Sequence, residues 1–160
     1  MKLGEALSKL KKERSRLARL ISLRKDNVYV EEGKETKFDP KKLSEEINEK
    51  IEDIRKLKIK IQESNLAANL EGEDIILAEA IIKVNDIRSK ISHLSNLFED
   101  KSSRSYRDKD EIEFVSQLDE LKIEDEIEKL EIEKVQLDNK IQITNWRTEL
   151  KEWCLSIFDG

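Results

Sequence analysis

An all-α fold, an antiparallel four-helix bundle of long, coiled-coil-like helices, is what three features of the 160-residue sequence predict. Isoleucine and leucine recur at three- and four-residue steps over long stretches, which is the helical period. Charged residues make up 42% of the chain and fill the positions between them, as on helices with solvated flanks. One proline and four glycines leave few points at which a helix must stop. So much charge also invites a reading of disorder, but the apolar residues are periodic rather than sparse.

The first helix is expected over about 3–25, where Leu3, Ala6, Leu7, Leu10, Leu17, Leu20 and Ile21 form one stripe. Arg14 and Arg24 sit beside that stripe, where their stems can lie along it. Val28 to Val30 favours β structure, and Gly33 supplies a turn in the polar run that follows. The second helix, about 40–68, has the clearest start. Asp39 is its N-cap, Pro40 its first residue, and Phe38 with Leu43 the pair of a hydrophobic staple. Its stripe runs through Ile47, Ile51, Ile54, Leu57 and Ile61 to Ala68.

Gly72 marks the next connection, with Asp74 as the expected cap of a third helix over about 75–99. That helix carries Leu77, Ala80, Ile81, Val84, Ile87, Ile91, Leu94 and Phe98, and Ile75, Ile76 and Ile82 widen its apolar arc. Residues 101–110 are polar, and the alternation of Glu111, Ile112, Glu113 and Phe114 reads as a short strand. Its expected partner is Val28–Val30, giving a small β-ribbon in the connections. The fourth helix is expected over about 118–151 on Leu121, Ile127, Leu130, Leu137, Ile141 and Thr144, about 50 Å long at 1.5 Å per residue. An apolar tail, 152–160, ends a single domain spanning 1–160.

Short connections imply up-down-up-down order, with the first and fourth helices as neighbours. Charge supports that pairing. Nine bases face three acids in residues 1–26, and nine acids face four bases in residues 119–140. The whole chain is close to balanced at a net charge of −5, so no global field draws it to nucleic acid or to an anionic membrane. Lys9, Lys11, Lys12, Arg14, Arg16 and Arg19 are the residues that would carry nucleic-acid binding, and pairing with the acidic fourth helix is the competing use of them. No uninterrupted apolar run is long enough for a membrane span, and lysines interrupt any apolar stretch near the start, so no secretory signal is expected. A lone cysteine fits a reducing compartment, and the localisation expected is cytoplasmic.

No catalytic, cofactor-binding or metal-binding residues are expected. A di-iron bundle needs two Glu-x-x-His pairs, whereas His93 is the only histidine and Lys90 stands three residues before it. Glu124, Glu128 and Glu131 read as a solvated face. Cys154 lacks the base and orienting group that a nucleophile requires. Asn65, Asn69 and Asn145, near helix ends, read as caps or as a small polar site. The strongest interaction signal is Trp146 together with the tail, where Trp153, Leu155, Ile157 and Phe158 form an apolar cluster, read as an oligomer contact or as a lid on the bundle's own base.

Several stretches together resemble a bacterial family of helical proteins called septicolysin-like. They are Asn65–Asn69, Leu77–Ile81, Lys90–Ser92, Arg104–Tyr106, Glu111–Val115 and Ile141–Leu150. The Asn145-Trp146-x-Thr148-x-Leu150 ending carries most of the likeness, Val84-Asn85 departs from it, and the tail from Lys151 lies outside it. The resemblance implies a helical bundle and, through its label, a membrane-active protein of haemolysin type; it supplies no catalytic residue. The residues themselves point to a non-catalytic structural or interaction protein, a self-associating homo-oligomer with room for an unidentified protein partner. Membrane activity is the alternative, and nucleic-acid binding through the basic first helix the third reading.

Overall fold

The computed structural model describes residues 1–34, 36–98 and 115–152. Within them the chain forms α1 (Leu3–Asp26), α2 (Pro40–Ala67), α3 (Leu77–Ser95) with a 3-10 turn over Asn96–Phe98, and α4 (Glu120–Arg147). The class is all-α. The described residues contain no strand, only two isolated antiparallel bridges, Lys2 with Glu149 and Asn69 with Ile76. The chain divides into two compact units, Met1–Ala68 with Thr144–Gly160, and Asn69–Ile143.

In the first unit α1 and α2 run antiparallel. Arg24 Nη1 reaches Ser44 Oγ at 3.4 Å and, further along, Lys50 Nζ meets Glu13 Oε2 at 2.8 Å. The predicted stripes form the seam: Leu3, Ala6 and Leu10 from α1, and Leu43, Ile47, Ile54, Leu57 and Ile61 from α2, are buried. α2 begins as its sequence demands. Asp39 Oδ1 accepts the Lys41 N–H at 2.9 Å and Pro40 occupies the first turn, where its missing N–H costs nothing. At the start of α1 the Glu5 carboxylate accepts the Lys2 N–H at 2.8 Å. That is half of a capping box, the half open to a lysine cap, whose ammonium has no acceptor to return.

In the second unit the chain first makes a tight turn. The Glu73 N–H donates to Leu70 O at 3.1 Å and Gly72 takes φ +71°, a left-handed value that costs glycine little. The Leu70 N–H then donates to Ile75 O at 2.9 Å, and Leu70 is almost wholly buried. α3 and α4 run antiparallel, tied by Lys83 to Glu133 at 3.0 Å and Lys90 to Glu126 at 2.7 Å. Glu73 pairs with Lys140, and Arg88 holds both oxygens of Asp138 at 2.8 Å. Leu77, Ala80, Val84 and Ile87 of α3, and Leu137 and Ile141 of α4, are buried.

Four expectations need correction. The β-ribbon is not seen: Val28, Tyr29 and Val30 are exposed and in no strand, and residues 112–114 lie outside those described. β-propensity alone makes no strand without a partner to bury it. Asp74 does not cap α3, because the Asn69–Ile76 bridge keeps the chain extended through Ile76, which is the N-cap residue. α4 stops at Arg147 rather than 151, because Thr148 to Leu150 pair with the first residues of the chain. The surplus apolar surface expected on α3 reduces to an exposed Ile82, with Ile75, Ile76, Ile81 and Ile91 half-buried.

Candidate functional site

Three features of the structure go beyond a helical core. The first is a clasp in the first unit. The Leu3 N–H donates to Thr148 O at 2.9 Å and the Leu150 N–H to Met1 O at 2.8 Å. Lys2 Nζ reaches Arg147 O at 3.1 Å and the Glu149 carboxylate at 2.5 Å. The Lys2 ammonium and the Met1 nitrogen together hold the Glu149 carboxyl below its ordinary range. Gly4 lies against the Trp146 ring so closely that a Cβ there would stand 2.8 Å from Cδ2. Glycine is therefore required in this helix by contact, not by backbone angle.

Beside the clasp lie four buried polar residues, Ser64 and Asn65 near the end of α2, Thr144 and Asn145 near the end of α4. Ser64 Oγ donates to Lys60 O at 2.8 Å and accepts the Lys151 N–H at 2.9 Å, so it ties the chain after α4 to α2. Asn145 Oδ1 is buried without a donor, the environment in which proteins hold an internal water. Of the asparagines singled out in sequence, Asn65 and Asn145 are both buried in this unit, whereas Asn69 is exposed and bridges to Ile76 in the other. Ser64 was missed; its only sequence signal is a small polar residue continuing the Ile54, Leu57, Ile61 stripe.

The second feature is a basic groove along α1 and α2. One cavity of about 370 Å³ has Lys9, Lys56 and Lys60 on its walls and Leu57 in its floor. A second, of about 360 Å³, has Arg16, Arg19, Leu20 and Leu23. Lys50 borders both. Glu13 hydrogen-bonds Lys50, which holds the Glu13 carboxyl low and raises the lysine. Glu46 and Asp53 are the remaining acids of the two cavities.

The third feature is on α4. Its inward face carries Ile127, Leu130, Leu137 and Ile141. At eleven- and three-residue steps on the opposite side stand Leu121, Ile132, Val135 and Ile143, which are 73%, 54%, 53% and 44% exposed. Eleven residues are close to three full turns, so these four share one outward stripe. Asp125 and Glu128 fall on the same stripe between Leu121 and Ile132, and Glu124 lies at its edge, all three exposed.

No group of three or more potential metal ligands occurs among the described residues, and no described helix is long and apolar enough to cross a membrane. His93 is exposed in the last turn of α3. Glu131 pairs with Lys134 of the next turn, and Glu124 and Glu128 are solvated. The candidate contact residues Trp153, Leu155, Ile157 and Phe158, like Cys154, lie outside the described residues.

Among solved structures, the chain is similar to one described as a functionally unknown conserved protein from Corynebacterium diphtheriae. The two are 28% identical with a TM-score of 0.83, over 94% of this chain and 99% of the other. No curated protein matches. The septicolysin-like resemblance is thereby overturned: both the family match and the structural neighbour point elsewhere. The quoted stretches are mostly charged amphipathic helix, which unrelated bundles share, and the Asn-Trp-x-Thr-x-Leu ending is spent on the clasp, with Trp146 on Gly4 and Thr148 and Leu150 in backbone pairing. Residues 10–150 match the model of the family of unknown function DUF6847, and the chain belongs to that family.

Proposed function

We propose that this protein is a non-catalytic interaction protein that self-associates, with the outward stripe of α4 as its contact. The observation that carries this reading is the opposition of two apolar faces on one helix. A surface helix needs one apolar face to hold it to its own core. The second, Leu121, Ile132, Val135 and Ile143, is exposed on the side away from the core, and apolar side chains gathered on one outward helix face support a contact. Full burial of a large aliphatic side chain is worth roughly 1.5–3 kcal/mol, and association costs about 4–15 kcal/mol in lost freedom. Four half-exposed side chains therefore support a concentration-dependent assembly rather than a permanent one. The apolar sequence of Trp153, Leu155, Ile157 and Phe158 supplies further material of the same kind.

Support for a non-enzymatic role comes from the inventory of reactive groups. A single histidine, exposed on α3, and a single cysteine leave little from which to build a base and a nucleophile. A cytoplasmic setting belongs to the same proposal, supported by the single cysteine. Sedimentation of the full chain across a concentration series tests the reading. The wild type should grow in mass with concentration, and Ile132→Gln with Val135→Gln should sediment as a folded monomer. A wild type that is monomeric throughout rules the proposal out.

A further inference from the structure

We infer that the partner of the α4 stripe is the basic groove between α1 and α2 on a second copy of this chain, an inference that rests on the self-association proposed above. The two surfaces complement one another in both apolar pattern and charge. Asp125 and Glu128 stand on the stripe between Leu121 and Ile132 and Glu124 beside it, while Lys129 and Arg147 stand at its other edge. The groove has an apolar floor of Leu20, Leu23 and Leu57, and a rim dominated by lysine and arginine. An amphipathic helix laid in a groove is held by apolar anchors at helical spacing, with flanking charges setting its partner.

The rival geometry, α4 against α4 across a two-fold axis, uses charge badly. In the parallel sense Glu124, Asp125 and Glu128 meet their own copies, which is repulsive. In the antiparallel sense they meet Gln136, Asn139 and Gln142, which return no charge. Against these, the groove offers Lys9, Arg16, Arg19, Lys56 and Lys60 beside an apolar floor. The contact is then heterologous: each copy presents one stripe and one groove, and assembly proceeds head to tail until it closes into a ring or continues as a chain.

Complementation between two variants tests this. The stripe variant is Ile132→Gln with Val135→Gln; the groove variant is Arg16→Glu with Arg19→Glu and Lys56→Glu. All five positions are exposed, and far-UV circular dichroism verifies that each variant stays folded. Each alone should lose the larger species seen for the wild type. Mixed in equal amounts they should form a pair and grow no further, because only one intact stripe and one intact groove remain between them. Raising ionic strength from about 50 to about 500 mM should weaken wild-type assembly at least about tenfold, as opposite charges across a contact are screened. A groove variant that assembles as the wild type does would overturn the inference while leaving self-association standing. A mixture that forms no pair would overturn it also. A wild type that is monomeric, and whose bases instead bind a polyphosphate chain, would remove both readings.

Discussion

Gly4 is the second residue of α1, between buried Leu3 and Ala6, where alanine would ordinarily be preferred by up to about 1 kcal/mol. The Trp146 ring reverses that preference. Gly4→Ala should lower stability by about 1–3 kcal/mol through overpacking, and in a Trp146→Ala background the same change should become stabilising; urea titrations of the four proteins measure both. The core predicts its own contrast. Ile87 is buried, so Ile87→Ala should cost about 2–5 kcal/mol, whereas Ile91→Ala, half-buried one turn later, should cost clearly less. Helical period placed both residues on one stripe, but burial fades along it, and period carries no information on where a partner ends. Glu149 makes the clasp sensitive to acid. Its carboxyl is held low by Lys2, so its stabilising contribution is complete above the ordinary carboxylate range and is lost as pH falls through the lowered value. Stability measured against pH should therefore decline on the acid side, and Glu149→Gln should flatten that decline.

Helix starts and stops show which parts of the fold were legible. Asp39 and Pro40 announce α2 locally, and the cap forms as read. Asp39→Ala should cost about 0.5–2 kcal/mol in thermal or urea unfolding. Gly33 and Gly72 take left-handed φ values of +81° and +71° at the turns the sequence marks. The ends of α3 and α4 were not legible because distant backbone decides them. Ile75 is held by Leu70, and Thr148 by Leu3 from the other end of the chain. The clasp itself had two visible signs, a glycine in the first turn of α1 and a tryptophan just before a helix end, but nothing local joins them. α4 is the element on which sequence and structure diverge most usefully. Both of its faces are present in the pattern of isoleucines and leucines, yet only burial tells the inward face from the outward one. Leu137→Ala should therefore destabilise the fold, while Ile132→Gln should leave unfolding unchanged and alter association alone.

Charge organises the molecule in a way the sequence only half disclosed. The acids of α4 were expected to answer the bases of α1, whereas Glu126, Glu133 and Asp138 are answered by Lys90, Lys83 and Arg88 of α3. These pairs are exposed, and each contributes about 0–1 kcal/mol, so they select neighbours more than they hold the fold. The exposed bases of α1 and the exposed acids Glu124, Asp125 and Glu128 of α4 carry opposite charge, which is what the assembly proposed above would use. Sedimentation of the full-length wild type across a concentration series, beside the Ile132→Gln, Val135→Gln variant, tests this most directly. The account predicts mass that rises with concentration for the wild type and a folded, concentration-independent monomer for the variant; identical sedimentation of the two would contradict it.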